Sequence, residues 1–308
     1  GYGPGEDETC VLYRDLAEIY AALLEDRAPV LPPLPVTYGD FSVWHHEWVT
    51  SERYARQREF WRNKLGATYE AGEGGTLDLS RGRSKRGTAS GRGLAQGFHI
   101  DKALGDRLRK VGLGMDATLF VVLLSAYFVL LNRITGRRDM VIATPVRGRN
   151  SADVEELMGY FTNLLPLRVK IDPALPFSEA VKRVKDVVLD SFANPDIRLE
   201  EVAQELSSRG GQRMSALYQT LFSMQDIRQR VTRWGNLDHE RLEVFQPGAT
   251  EDLGLWILER DDGIIASMVY NADVLLEEDV TTLRGHYVAL LERIASAPHD
   301  HVEALGDF

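Results

Sequence analysis

The residues best placed for chemistry lie between Arg138 and Lys170, in RDMVIATPVRGRNSADVEELMGYFTNLLPLRVK. A short apolar run, Met140 to Ala143, turns at Pro145 into an Arg-Gly-Arg-Asn loop. A short acidic segment follows. Gly159, Phe161 and Asn163 then stand just before a second apolar run, Leu164 to Val169. Two β-type runs joined by a polar loop put a polar cluster at strand ends, where α/β folds usually open their clefts. The same spacing also describes an ordinary strand-loop-strand with a solvated arginine loop.

The other candidates point away from chemistry. His45 and His46 are neighbours on a helix, where successive side chains diverge by about 100°, so they do not converge on a metal. Asp261 and Asp262 sit in a turn, where carboxylates are more often solvated than catalytic. Ser125 lies in an apolar helix and is expected to bond back to its own carbonyls. Gly112 and Gly114 lack the third glycine of a phosphate loop and follow a helix instead of a strand. No paired carboxylates, metal-ligand cluster or nucleophile elbow stands out.

The elements that must position these residues follow from periodicity. Apolar residues from Val11 to Leu24 recur on one helical face, so a helix is expected from Asp7, with its stripe packed on a sheet. Pro29, Pro32, Pro33 and Pro35 enforce an extended connector. Asp40 is the expected cap of a helix carrying Phe41, Trp44 and Trp48. A further helix runs from Ser51 to Leu65, closed by Gly66. Residues 68 to 93, rich in Gly, Ser and Arg, read as a solvated linker. Leu94 to Ile100 is a strand and Asp101 to Val111 a helix. Asp116 is expected to cap a helix from Ala117 to Thr135, apolar on nearly all faces and therefore buried. Ser178 is the expected cap of a helix to Phe192, and Pro195 and Asp196 start a short one. Strands are expected at Met214 to Gln225, Leu242 to Phe245, Leu253 to Leu258 and Ile264 to Asn271. The last two pair through Asp261-Asp262-Gly263. An amphipathic helix from Glu277 to Ala297 closes the chain.

Composition bounds the possibilities. With 308 residues, 44% apolar and 27% charged, the chain can bury an ordinary core. A formal net charge of -10 argues against nucleic acid as a main partner. Cys10 is the only cysteine, which excludes a disulfide framework and suits a reducing cytoplasm. The opening GYGPGEDE does not have the form of a signal peptide. The longest apolar stretch, Leu119 to Leu131, is too short to span a bilayer. No internal repeat is seen.

Several words nevertheless resemble one family. TPVRGR and MGYFTNLLPLRV are similar to the TPVAGR and IGxFVNTLPLR motifs of nonribosomal peptide synthetase condensation domains. LPPLPVTYGDFSVW, ERYARQREFWRNKLGA, MSALYQTLFSMQ and DVLLEEDVTTLRGHYVALLERIASAP resemble further family words, in the family's order. The resemblance implies an α/β, chloramphenicol acetyltransferase-like fold. The chain would hold the end of the first half plus the complete second half of a two-lobed V. Residues 1–50 would end the first lobe. Residues 51–308 would form the second, with an exposed connector near 68–93.

The implied activity joins a carrier-bound acyl or peptidyl thioester to the amine or hydroxyl of a carrier-bound acceptor. Carrier proteins would be donor and acceptor, each bearing its phosphopantetheine arm. No cofactor would be bound directly, no metal is implied, and neither nucleic acid nor membrane would be a partner. The family's catalytic HHxxxDG is absent. Its aspartate would fall at Thr50 if His45 and His46 were its histidines, so the motif is expected before residue 1, in a missing N-terminal part of the same domain. By position, Gly159, Phe161, Asn163, Ser223, Gln225 and Asp252 would line the substrate tunnel. Glu251 departs from the family's phenylalanine at its place. Arg149 would support the active-site loop, unpaired if the motif's aspartate is missing. Two alternatives are a catalytically silent recruitment domain and a CoA-dependent acyltransferase of the same superfamily.

Overall fold

The computed structural model describes residues 6–70, 77–79, 90–149, 151–210, 217–226, 233–238 and 248–306. Three helices come first: α1 (Glu6–Leu24), α2 (Tyr38–Trp48) and α3 (Glu52–Glu70). Next come β1 (Gly93–Asp101), α4 (Lys102–Gly114), α5 (Leu119–Thr135), β2 (Asp139–Val146) and β3 (Asn163–Lys170). They are followed by α6 (Phe177–Phe192), α7 (Leu199–Gly210), β4 (Thr220–Asp226), β5 (Arg233–Trp234) and β6 (Leu237–Asp238). The last elements are β7 (Leu253–Arg260), β8 (Gly263–Asn271) and α8 (Glu277–Ser296).

Six strands form one sheet in the order β1-β8-β7-β4-β2-β3. β2, β4 and β7 run parallel, while β3, β8 and β1 are antiparallel to their neighbours. β5 and β6 form a separate two-stranded ribbon.

The sheet's two faces are covered unequally. One face carries Met140, Ile142, Phe222, Leu253, Leu255, Ile257, Ile264, Ala266, Met268 and Tyr270 in a single large apolar cluster. That cluster includes buried residues of α4, α5, α6 and α8. α5 is apolar all round because it is enclosed: every residue from Val121 to Asn132 is buried. Its few polar groups are satisfied in place. Ser125 Oγ donates to the Val121 carbonyl at 2.7 Å, and the Tyr127 hydroxyl meets Thr220 Oγ1 at 2.5 Å. Each fully buried Leu or Phe stabilises by about 1.5–3 kcal/mol. A second, smaller apolar cluster joins Val141 of β2 and Leu165 of β3 to Ile197, Leu217 and residues of α3 and α7.

Most expected elements form, and the departures are local. Asp40 is not the cap of α2. Thr37 is, and Asp40 closes a capping box by accepting the Thr37 N–H at 2.8 Å. Thr118 caps α5 in place of Asp116, which turns left-handed at φ 50° and reaches Lys185 at 2.5 Å. α3 runs through Gly66, because Trp61 and Leu65 are fully buried and their packing outweighs a glycine penalty of about 1 kcal/mol. α6 starts at Phe177, with Pro176 at the cap position and no side-chain cap from Ser178. Pro195 and Asp196 form a turn before α7, with the Asp196 N–H donating to Gln57 Oε1 at 3.0 Å.

The α1 stripe is only partly covered. α1 lies on the β5–β6 ribbon, where Tyr13 meets Trp234 at 6.1 Å between ring centroids. Val11 and Ala22 are buried, yet Leu23 is 73% exposed and Leu24 57%. The expected strand at Leu242 to Phe245 and most of the linker at 68–93 lie outside the described residues. Among those residues no single helix is long and apolar enough to cross a membrane.

Candidate functional site

The segment between β2 and β3 is folded onto the connector and α2. Gly148 has φ 63°, and a Cβ there would run into the Phe161 carbonyl, so the backbone needs glycine. Arg149, only 8% exposed, donates to the carbonyls of Val154 and Glu155. Its guanidinium lies 4.1 Å from the centre of the Phe161 ring. The expectation that Arg149 stands unpaired is therefore corrected. The loop's own carbonyls and an aromatic face hold it.

Phe161 packs edge-on to Tyr38 at 5.3 Å and against Phe41 at 4.6 Å. Val154 and Leu157 close the same cluster. The Tyr38 hydroxyl donates to the Tyr160 carbonyl at 2.9 Å. Its ring occupies the space where Gly159 would otherwise carry a side chain. Reading the sequence missed Tyr38, whose only signal was its place in the proline-rich word.

Asn163 opens β3. Its amide donates to the carbonyls of Pro195 at 2.8 Å and Ile197 at 2.7 Å, tying β3 to the turn before α7. The same turn is organised from α3: the Tyr54 hydroxyl donates to Glu201 at 2.8 Å and accepts the Arg198 N–H at 3.3 Å. Burial, followed by the Glu201 bond, pushes the Tyr54 phenol up to about 12. His45 is half-buried against Phe41 at 5.7 Å. Burial, and then the nearby Arg198, lowers its pKa.

The remaining candidates lie elsewhere. Ser223 and Gln225 are on β4, opposite in parity to Phe222, so they point to the less covered face. Ser223 is 3% exposed. Gln225 Oε1 is buried and meets no donor among the described residues. Asp252 immediately precedes β7, at the opposite end of the strands from Gln225. Thr220 pairs with Leu253 and Gln225 with Leu258, so the separation is about 20 Å at roughly 3.3 Å per residue. The structure thus groups Arg149, Gly159 and Phe161. It places Asn163 at the turn before α7 and Ser223 with Gln225 on the sheet, and leaves Asp252 at the far edge. Among the described residues no cluster of His, Cys, Asp or Glu could hold a metal ion.

Comparison with known proteins gives this arrangement a family. The condensation domain family matches residues 9–306. Tyrocidine synthase 3 of Brevibacillus parabrevis is 32% identical over 270 residues, covering 88% of this chain and 4% of that protein. Surfactin synthase subunit 1 of Bacillus subtilis (strain 168) is 29% identical over 288 residues, covering 94% and 8%. The chain therefore spans less than a tenth of the length of these relatives. Two solved structures share the fold. The first condensation domain of the CDA synthetase superposes with a TM-score of 0.76 at 21% identity, over 98% of this chain and 63% of that one. The X-domain from teicoplanin biosynthesis gives 0.83 at 24% identity, over 99% and 70%. The match runs through the loop locked by Arg149 and Phe161, the strands it joins and the enclosed α5, and this chain belongs to the condensation domain family.

Proposed function

We propose that the chain supplies the end of the first lobe and the whole second lobe of a two-lobed domain that condenses two carrier-bound substrates. Residues 1–50 belong to the first lobe and 51–308 to the second. The donor thioester and the acceptor amine or hydroxyl arrive on phosphopantetheine arms of carrier proteins. The acceptor attacks the thioester carbonyl, the C–S bond breaks, and the donor carrier leaves as a free thiol. Holding both arms in line can supply about 7–11 kcal/mol of the barrier reduction. The base or positioning histidine comes from an HHxxxDG segment outside these residues. Ser223 and Gln225 line the tunnel, Gly159, Phe161 and Asn163 shape its wall, and Asp252 borders it. Arg149 supports the loop.

The observation that carries this reading is the family match across residues 9–306. The test mixes the chain with donor- and acceptor-loaded carriers, with and without a condensation N-terminal segment bearing HHxxxDG. Product is followed by mass spectrometry. Amide or ester is expected only when the segment is supplied. Full turnover by the chain alone would overturn the division of labour.

One observation favours a second reading, a silent recruitment domain. The X-domain superposes at a TM-score of 0.83, and that domain is known in complex with OxyB. No product in either mixture, with stable capture of a partner enzyme, would decide for it.

A further inference from the structure

The sheet ends in two edge strands, β3 and β1, that are defended unequally. β3 carries Pro166, Arg168 and Lys170, and Arg168 donates to the Lys64 carbonyl of α3 at 2.9 Å. Proline, charge and a covering helix are the common ways of blunting an edge. β1 lacks them. Gly93 to Ile100, GLAQGFHI, holds no proline, lysine, arginine or acid.

The register shows where the unpaired backbone of β1 lies. The Ala272 N–H donates to the Arg92 carbonyl at 3.0 Å, so residue 92 stands in a hydrogen-bonded pair. Bonded and non-bonded pairs alternate along an antiparallel ladder. Leu94, Gln96 and Phe98 therefore bond to β8, while Gly93, Ala95, Gly97 and His99 turn their N–H and C=O groups outward. Two contacts agree with that phase. The Gly91 carbonyl accepts the Ala249 N–H at 3.4 Å, and the Gly97 carbonyl accepts the exposed Arg284 guanidinium at 3.3 Å. Gly248 lies against Gly93, and the chain turns into α4 after Asp101. The open stretch is thus Ala95 to His99, and among the described residues no other backbone group bonds to its outer side. Gly97 and His99 are exposed.

That stretch is centred on Gly97, and its phase allows a two-fold axis there. An antiparallel second copy sets Gly97 opposite Gly97 and Ala95 opposite His99, all in the bonded phase. Gln96 then faces Phe98, and no charge meets a like charge across the seam. A segment without charge offers nothing to an acidic or basic partner, whereas a second copy brings the matching pattern.

We propose that β1 is an interface between two copies of this chain, paired antiparallel about Gly97 so that the two six-stranded sheets become continuous. The contact is isologous and β3 is covered, so pairing closes at a dimer. The Arg284 guanidinium yields its place to the N–H of the partner's Gly97. The net charge of -10 opposes association, so the dimer tightens with salt. The inference stands apart from the condensation reading.

The test uses the full chain in about 0.15 M salt, where charges are screened beyond about 8 Å. Sedimentation equilibrium from about 1 to 300 μM is expected to show mass rising from monomer to dimer. At the dimer end, amide exchange at Ala95, Gly97 and His99 should slow about tenfold, with Gln96 and Phe98 within about twofold. Ala95→Pro removes an outward N–H that β8 does not use, and should weaken the dimer about tenfold. Gly97→Lys puts two ammonium groups face to face and should weaken it about fivefold. A Cβ at Gly97 meets only the Ala266 carbonyl, at 3.9 Å, so the fold accepts it. Gly97→Ala, with that Cβ and no charge, should stay within about twofold of the parent. A monomer throughout overturns the proposal, and so do assemblies larger than a dimer. A dimer with unchanged exchange at Ala95, Gly97 and His99 also overturns it. If Ala95→Pro melts early, Gly97→Lys decides, and a dimer as tight as the parent's overturns it.

Discussion

The two faces of the six-stranded sheet share a backbone and differ in what their side chains are for. On the face under α4, α5, α6 and α8, large apolar residues are fully enclosed and Tyr127 pairs with Thr220, although the buried Ser191 hydroxyl of α6 has no partner among the described residues. On the opposite face, β2 and β3 are covered by α3 and α7. There β4 and β8 present Gln225 and Ser267, on either side of Trp256, with polar atoms that have no partner among the described residues. One face is packed almost wholly with apolar side chains, and the other carries more polar side chains whose hydrogen bonds are unmade among the described residues. An unmade buried hydrogen bond costs about 1–3 kcal/mol, so such a face is retained against stability.

Substitutions sharpen that contrast. Phe222→Ala, on the enclosed face, should lose about 3–5 kcal/mol in urea denaturation, whereas Leu258→Ala, half-buried on the other face, should lose under about 1 kcal/mol. Similar losses at both would break the distinction. Next in size is Asn163→Ala, which strands the carbonyls of Pro195 and Ile197 and should cost about 1–3 kcal/mol. If it lowers condensation rate in the assembled domain more than stability, Asn163 also faces substrate. Arg149→Lys keeps the charge but loses the flat stack on Phe161, for about 1–2 kcal/mol by thermal melting. The smallest effect is one of sign. From pH 4.5 upward the unfolded chain releases the Glu251 proton while the folded chain retains it, because burial raises that pKa. Stability from this group is complete below 4.5 and is lost as pH rises through its folded pKa. The parent should therefore lose melting temperature relative to Glu251→Gln over that rise, and parallel curves would place Glu251 in water.

The large elements were legible because periodicity is local. Residues 119 to 131 are apolar on every side, which only an enclosed helix can accommodate, and Leu253 to Asn271 reads as a hairpin from its turn. Caps were misread where two polar residues compete within a few positions. Asp40 and Thr37 are both good caps, and so are Asp116 and Thr118; only the backbone path decides between each pair. The loop's importance was visible in its words, but the seating of Tyr38 on Gly159 needs two segments about 120 residues apart to meet. Alternation tells which face a strand residue takes, but not which strands become neighbours.

The strand order has a consequence for how the chain is made. β1 pairs with β8 along its whole length, from Gly93 opposite Asn271 to Asp101 opposite Gly263. At about 5–20 residues per second, a ribosome needs on the order of ten to thirty seconds to deliver the partner after β1 emerges. Throughout that interval β1 has an unpaired edge and no β8 to close it. Translation speed between residues 101 and 263, and chaperone capture of the nascent strand, therefore bear on the yield of folded protein.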